Sequence, residues 1–240
     1  CSVAKKKKKN LTARPALTSR VNTSIHDSLR SLIRYSLMKK KILLFAGTRP
    51  EAIKMLPVYF ALREKSLVSA KLVATGQHRE MLTQSFADFG ILPDVSLDVM
   101  TSGQTLASLS SRLFTTIDEL LEKETPDAVI VQGDTTTVHV AALCAFYRRI
   151  PIGHVEAGLR SDNMFSPFPE ELNRRIASLV ATWHFAPTQR LADNLLAEGV
   201  DEQTILVSGN TVIDSLLLMR DMVLASPPVL PPHVAEANKS

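Results

Sequence analysis

Two carboxylates, Asp134 and Glu156, stand where an acid–base site would be built. A short apolar run over Ala128–Val131 ends in Gln132-Gly133-Asp134, and a second over Pro151–Val155 ends in Glu156-Ala157-Gly158. Each run reads as a strand followed by a sharp turn. In an open parallel sheet, residues at the carboxyl ends of the strands line the ligand crevice. Asp134 and Glu156 are therefore expected to share one cleft, and two carboxylates in one cleft suit proton transfer. A third candidate, Glu170, opens a helix in Pro-Phe-Pro-Glu-Glu, where the helix dipole favours an acid in any case. Its neighbour Glu171 carries no functional reading. Asp134 has a second possible job, capping the helix that starts near Thr136. His154, two residues before Glu156, either orients that carboxylate or fills the core. His139 reads as a packed helix residue. Thr135, Thr136 and Thr137 either bond a ligand or begin a helix.

The elements that must position these residues follow from periodicity. Strands are expected at 42–46, 70–75, 95–99, 128–131, 151–155, 182–186 and 204–208. Helices are expected at 51–65, 79–89, 105–123, 138–148, 170–180, 189–198 and 211–223. Leu106, Leu109, Leu113, Ile117 and Leu120 recur at helical spacing. Pro57 predicts a kink or restart near Leu56, and Trp183 is expected in the core. Strands alternating with helices predict an α/β fold on a parallel sheet.

The first strand ends in Gly47-Thr48-Arg49-Pro50-Glu51, not in a G-x-G-x-x-G dinucleotide turn. Glycine permits the tight turn and Pro50 suits a first helical position. The N–H groups of such a helix start favour an anion, and Arg49 adds a planar cation suited to phosphate.

Composition bounds the class. The 240 residues include 45% apolar and only 5% aromatic side chains, and the net charge is +4. That charge sits in residues 1–37, with nine basic side chains and one acid; the remaining residues carry 19 basic and 23 acidic, a net −4. The body thus offers no electrostatic case for nucleic acid. The basic 1–37 segment is expected to be a disordered or upstream-translated tail. Cys1 and Cys144 make no disulfide framework, no Cys/His spacing resembles a zinc site, and Cys144 reads as a small buried apolar residue. No apolar run approaches the ~18–20 residues of a membrane span. A cytoplasmic protein without a metal and without nucleic-acid or membrane partners is expected.

Six motifs in order, GTRPEAIKM, TGQHREML, GDTTT, HVEAGLR, FPEELNRR and SGNTVID, resemble the non-hydrolysing UDP-N-acetylglucosamine 2-epimerases. The resemblance runs from Lys41 to about Val223. It implies a Rossmann-like sheet forming the first half of a two-domain glycosyltransferase-B fold, with UDP-sugar bound between the domains. It implies interconversion of UDP-GlcNAc and UDP-ManNAc by elimination and re-addition of UDP, with no cofactor, in a homodimer that supplies surface polysaccharide synthesis. Its acidic residues fall on Asp134, Glu156 and Glu170. Arg49 and Lys54 match positions near the nucleotide, and Arg174 one near the sugar phosphate. Gln77, His78 and Gln104 lie in stretches that resemble an effector UDP-GlcNAc site, though Gly103 replaces a basic residue found in some members. The family's second-domain motifs are not found. Residues 38–225 are accordingly expected to form the first domain and residues 226–240 a Pro-rich linker, with the second domain missing. A sugar transferase of the same architecture and a non-catalytic UDP-sugar-binding module are the alternatives.

Overall fold

Residues 39–76, 79–99, 101 and 103–227 are described in a computed structural model. The tail over 1–37, most of the Pro-rich 226–240 segment, and Gln77 and His78 lie outside them.

Seven parallel strands form one sheet: β1 Lys40–Ala46, β2 Val68–Ala74, β3 Val95–Ser96, β4 Ala128–Gln132, β5 Ile152–Val155, β6 Trp183–Ala186 and β7 Ile205–Val207, in the order β3-β2-β1-β4-β5-β6-β7. The helices between them are α1 Arg49–Arg63, α2 Arg79–Asp88, α3 Leu106–Glu124, α4 Thr136–Tyr147, α5 Glu170–Val180, α6 Gln189–Ala197 and α7 Thr211–Ala225. The chain leaves β1 toward one edge, then returns to build toward the other. The order therefore reverses between β1 and β4, which makes that gap the topological switch point of a doubly wound sheet.

Side chains alternate across each strand, and the core divides accordingly. Leu43 and Phe45 join Val129, Val131, the α3 stripe Leu109-Leu113-Ile117 and much of α4 in one cluster. Leu44 and Ala46 join Leu72, Ala74, the α1 residues Ala52-Met55-Leu56 and the α2 residues Leu82-Phe86 in another. The predicted α3 stripe is buried except for Leu106, which opens the helix and is 42% exposed. Cys144 is buried within the first cluster, as expected.

Helix α1 runs unbroken through Pro57, so it does not restart near Leu56. Pro57 has no N–H for the Ile53 carbonyl four residues back. The Ser215 hydroxyl of α7 donates to that carbonyl instead. Ser215 is the buried residue of α7, so the defect in one helix is the anchor of another. Trp183 is not core: it begins β6 and is 44% exposed.

Candidate functional site

The crevice opens where the β1–β4 ladder stops. Its register ends at Leu44 opposite Ile130, although β1 continues to Ala46 and β4 to Gln132. The turns after β1, β4 and β5 therefore meet around the switch point.

Asp134 follows β4, half-buried. Its Oδ2 accepts from Arg174 Nη2 at 2.6 Å. Burial raises its carboxyl above the ordinary value against the pull of Arg174, and the negative charges of Glu156 and Glu170 raise it further. Glu156 is a near neighbour by geometry as well, since its Oε2 lies 3.9 Å from a Cβ built on Gly133, the residue before Asp134. Asp134 does not cap the helix, since Thr135 occupies that position. Its own carbonyl accepts from Asn173 Nδ2 at 2.9 Å.

Glu156 follows β5 with φ +63°. A left-handed backbone is unusual for a residue with a side chain, and such strain concentrates at functional positions. Lys54 Nζ grips both carboxylate oxygens, at 2.7 and 2.6 Å, and Gln132 donates to Oε2 as well. Lys54, assigned by resemblance to the nucleotide, is thus engaged with the Glu156 carboxylate. Glu170 is half-buried as the first residue of α5.

Arg174 reaches Glu171 at 3.5 Å in addition to Asp134. Glu171 is not the inert neighbour expected. Its side chain is fully buried, and it accepts from Ser161 N at 3.0 Å and Arg175 Nε at 2.7 Å. Arg175 and Arg160 both bond Glu198, which closes α6. The HVEAGLR stretch is fastened to α5 and α6 through this network. Its Gly158 has φ +89°, and a Cβ there would lie 2.1 Å from the Leu191 carbonyl oxygen, so only glycine fits.

His154 fills the core and braces a turn: its Nε2 donates to the Gly133 carbonyl at 2.8 Å. Burial pushes its pKa down to about 4, so the ring is neutral. His139 packs edge-on against Phe114, as a packed helix residue should.

The β1 turn departs from the anion-binding expectation. The Gly47 and Thr48 N–H groups donate to Glu51 Oε2 at 2.6 and 2.9 Å, so those two donors serve the chain itself. Arg49 is exposed and lines a groove of about 680 Å³ with Ile53, Ser85, Phe89 and Ser215. Gln104 sits before α3, where Oε1 accepts from the Thr101 N–H and hydroxyl, both at 3.3 Å. Gln77 and His78 cannot be placed, lying outside the described residues.

Glu51, Gln132, Glu171 and Asn173 escaped the sequence reading. Glu51 had a signal: Thr48-Arg49-Pro50-Glu51 is a T-x-x-E capping box, which marks its carboxylate as a partner of the turn. Glu171 had a partial one in Arg174 and Arg175 at helical i+3 and i+4 spacing, while Gln132 and Asn173 had none, because their partners are 24 and 39 residues away.

Fold and site together define a doubly wound α/β domain whose switch-point crevice holds a cluster of acids and cations. Residues 60–237 match the family described as UDP-N-acetylglucosamine 2-epimerase, and the chain belongs to that family. It is 47% identical over 178 residues to the UDP-N-acetylglucosamine 2-epimerase of Neisseria meningitidis serogroup A, covering 74% of this chain and 48% of the relative. With the Escherichia coli K12 enzyme it shares 48% identity over 186 residues, covering 78% and 50%. A crystal structure of UDP-GlcNAc 2-epimerase from N. meningitidis bound to UDP-GlcNAc superposes with TM-score 0.74 at 45% identity, over 77% of this chain and 50% of that one. The S. aureus MnaA structure with UDP gives 0.75 at 42% identity, over 83% and 51%. The chain spans about half the length of the curated relatives it matches. Among the described residues, no helix is long and apolar enough to cross a membrane.

Proposed function

We propose that this protein acts in the interconversion of UDP-GlcNAc and UDP-ManNAc by inversion at C2. One carboxylate takes the C2 proton while the C1–O bond breaks and its electron pair leaves with UDP, giving a 2-acetamidoglucal. Protonation of C2 from the other face and attack of a UDP phosphate oxygen on C1 complete the inversion. The observation that supports this reading is that Asp134 and Glu156 end neighbouring strands beside the switch point, each held by a cation, with Glu156 Oε2 3.9 Å from a Cβ built on Gly133. A proton acceptor and a proton donor on opposite faces of a ring require acids from different turns, and a positioned base supplies about 10²–10⁴-fold. Their environments differ, which suits a division into donor and acceptor: Asp134 is half-buried against Arg174, and Glu156 is held by Lys54 and Gln132.

Stabilising the departing diphosphate needs cations. Lys54 and Arg174 are engaged with carboxylates, which leaves Arg49 as the candidate contributed by this domain. The reading therefore includes a second domain facing these strand ends, in a glycosyltransferase-B arrangement that closes on the nucleotide. It extends to a cytoplasmic homodimer supplying UDP-ManNAc for surface polysaccharide, the dimer being checked by sedimentation equilibrium.

The test is incubation of the intact gene product with UDP-GlcNAc in deuterium oxide, with C2 followed by NMR. Deuterium at C2 together with UDP-ManNAc is expected. In Glu156→Gln, exchange is expected to vanish while UDP still binds. Sugar transfer without label at C2 would overturn the proposal, and unchanged turnover in the variant would remove Glu156 from the chemistry.

A further inference from the structure

The GTRPE and GDTTT motifs sit on opposite sides of the switch point, and one side chain joins them. Glu51 is 3% exposed. Its Oε2 takes the Gly47 and Thr48 N–H groups of the β1–α1 turn, and its Oε1 accepts from Thr135 Oγ1, on the β4–α4 turn, at 2.5 Å. The backbone ladder between β1 and β4 has already ended at Leu44 and Ile130. The carboxylate thus resumes the connection where the strands part.

A second polar contact lies beside it. Thr75 and Thr137 hydroxyls are 2.8 Å apart. A Cβ on Gly47 would stand 2.3 Å from Thr137 Oγ1, so the β1 turn lies directly on the first turn of α4. Asp134 precedes Thr135. From the other side it is held by Arg174 on its carboxylate and Asn173 on its carbonyl. Glu51 acts through Thr135 on the remaining side.

We propose that Glu51 is a positioning residue that ties the β1–α1 turn to the β4–α4 turn across the switch point and so fixes Asp134 in the crevice. Its catalytic consequence rests on the epimerase reading; the brace itself does not. Hydrogen bonds from two turns that converge on one buried side chain fix its direction as well as its place. Misplacement of a reacting group by about 1 Å costs on the order of 10²-fold in rate.

Three variants test it. Thr135→Val removes the hydroxyl at nearly constant volume, Thr135→Ser keeps it, and Glu51→Gln keeps the shape and can still bond both turns. In the intact gene product, T135V is expected to lower kcat for C2 exchange by about 10²-fold with KM nearly unchanged. T135S and E51Q are expected to stay close to wild type. A merely structural role would reduce the folded fraction and leave kcat per folded molecule intact, which thermal unfolding of each variant controls. An unaltered kcat in T135V overturns the proposal.

A second arm needs no substrate. In ¹⁵N spectra of this chain, T135V is expected to shift the Gly47 and Thr48 amides, because they share a carboxylate with the lost hydroxyl. Amides that stay in place overturn the brace. Should the wild-type product show no exchange at C2, the epimerase reading falls, and the amide shifts still decide for or against the brace.

Discussion

At the scale of single residues, the second glutamate of α5 has a structural role that its position did not suggest. Glu170 is half-buried, and its charge acts on Asp134. Glu171 is the fully buried one, with three cation or N–H partners. Its carboxylate lies below the ordinary range: burial pushes it up, but the Ser161 N–H and Arg175 outweigh that. Removing one partner from a buried charge network leaves the others uncompensated, typically at about 3–5 kcal/mol. Glu171→Ala is therefore expected to lower stability by about 3 kcal/mol in urea titration, with Arg174 and Arg175 left unpaired on that side. A midpoint matching the wild type would return Glu171 to the bland role first read for it. The strand-end positions of Asp134 and Glu156 were legible because a carboxylate just after an apolar strand has few structural reasons to be there. For Glu171 the helical spacing to Arg174 and Arg175 was in the sequence, but its burial and its bond to the Ser161 N–H, 10 residues away, were not.

At the scale of elements, strand and helix periodicity placed all seven strands and seven helices among the described residues, mostly to within two residues at either end. Pro57 and Trp183 show where such reading stops. The pattern around Pro57 contains its missing hydrogen bond but not the hydroxyl, 162 positions away from Ile53 in the chain, that repairs it. Trp183 has the composition of a core residue but sits at the start of a strand next to the sheet edge, where burial is incomplete. The repair makes a sharp prediction about α1 and α7. Ser215→Ala leaves the Ile53 carbonyl without that donor and is expected to cost about 1–3 kcal/mol. Pro57→Ala restores an N–H at the position that serves Ile53 in a regular helix. In that background most of the Ser215→Ala penalty is expected to disappear, which a double-mutant cycle on unfolding free energies measures. Additive losses would mean that Ser215 anchors α7 by some contact other than the orphaned carbonyl.

At the scale of the whole molecule, the pH dependence of stability couples two buried groups on either side of Gly133-Asp134. Burial raises Glu51 from 4.5 to about 7 despite the donors around it. Its contribution is therefore whole below pH 4.5 and is lost as pH climbs through about 7. Burial lowers His154 from 6.5 to about 4, against the help of the Gly133 carbonyl. Its contribution is whole above pH 6.5 and is lost as pH falls through about 4. Either displacement corresponds to about 3 kcal/mol. Between pH 4.5 and 6.5 the two slopes have opposite sign and similar size, so these groups largely cancel in the wild type. Glu51→Gln removes one slope and leaves the other. The variant's stability relative to the wild type is expected to rise by about 3 kcal/mol from pH 4.5 to just above pH 7, while its own stability falls on acidification below 6.5. Urea midpoints of the two proteins across that range provide the comparison, with other titrating groups cancelling in the difference. A difference that does not change with pH would mean that Glu51 holds the same charge in the folded and unfolded chain. The interior between β1 and β4 would then be wetter than its packing implies, and the carboxylate that spans the two turns would be a solvated one.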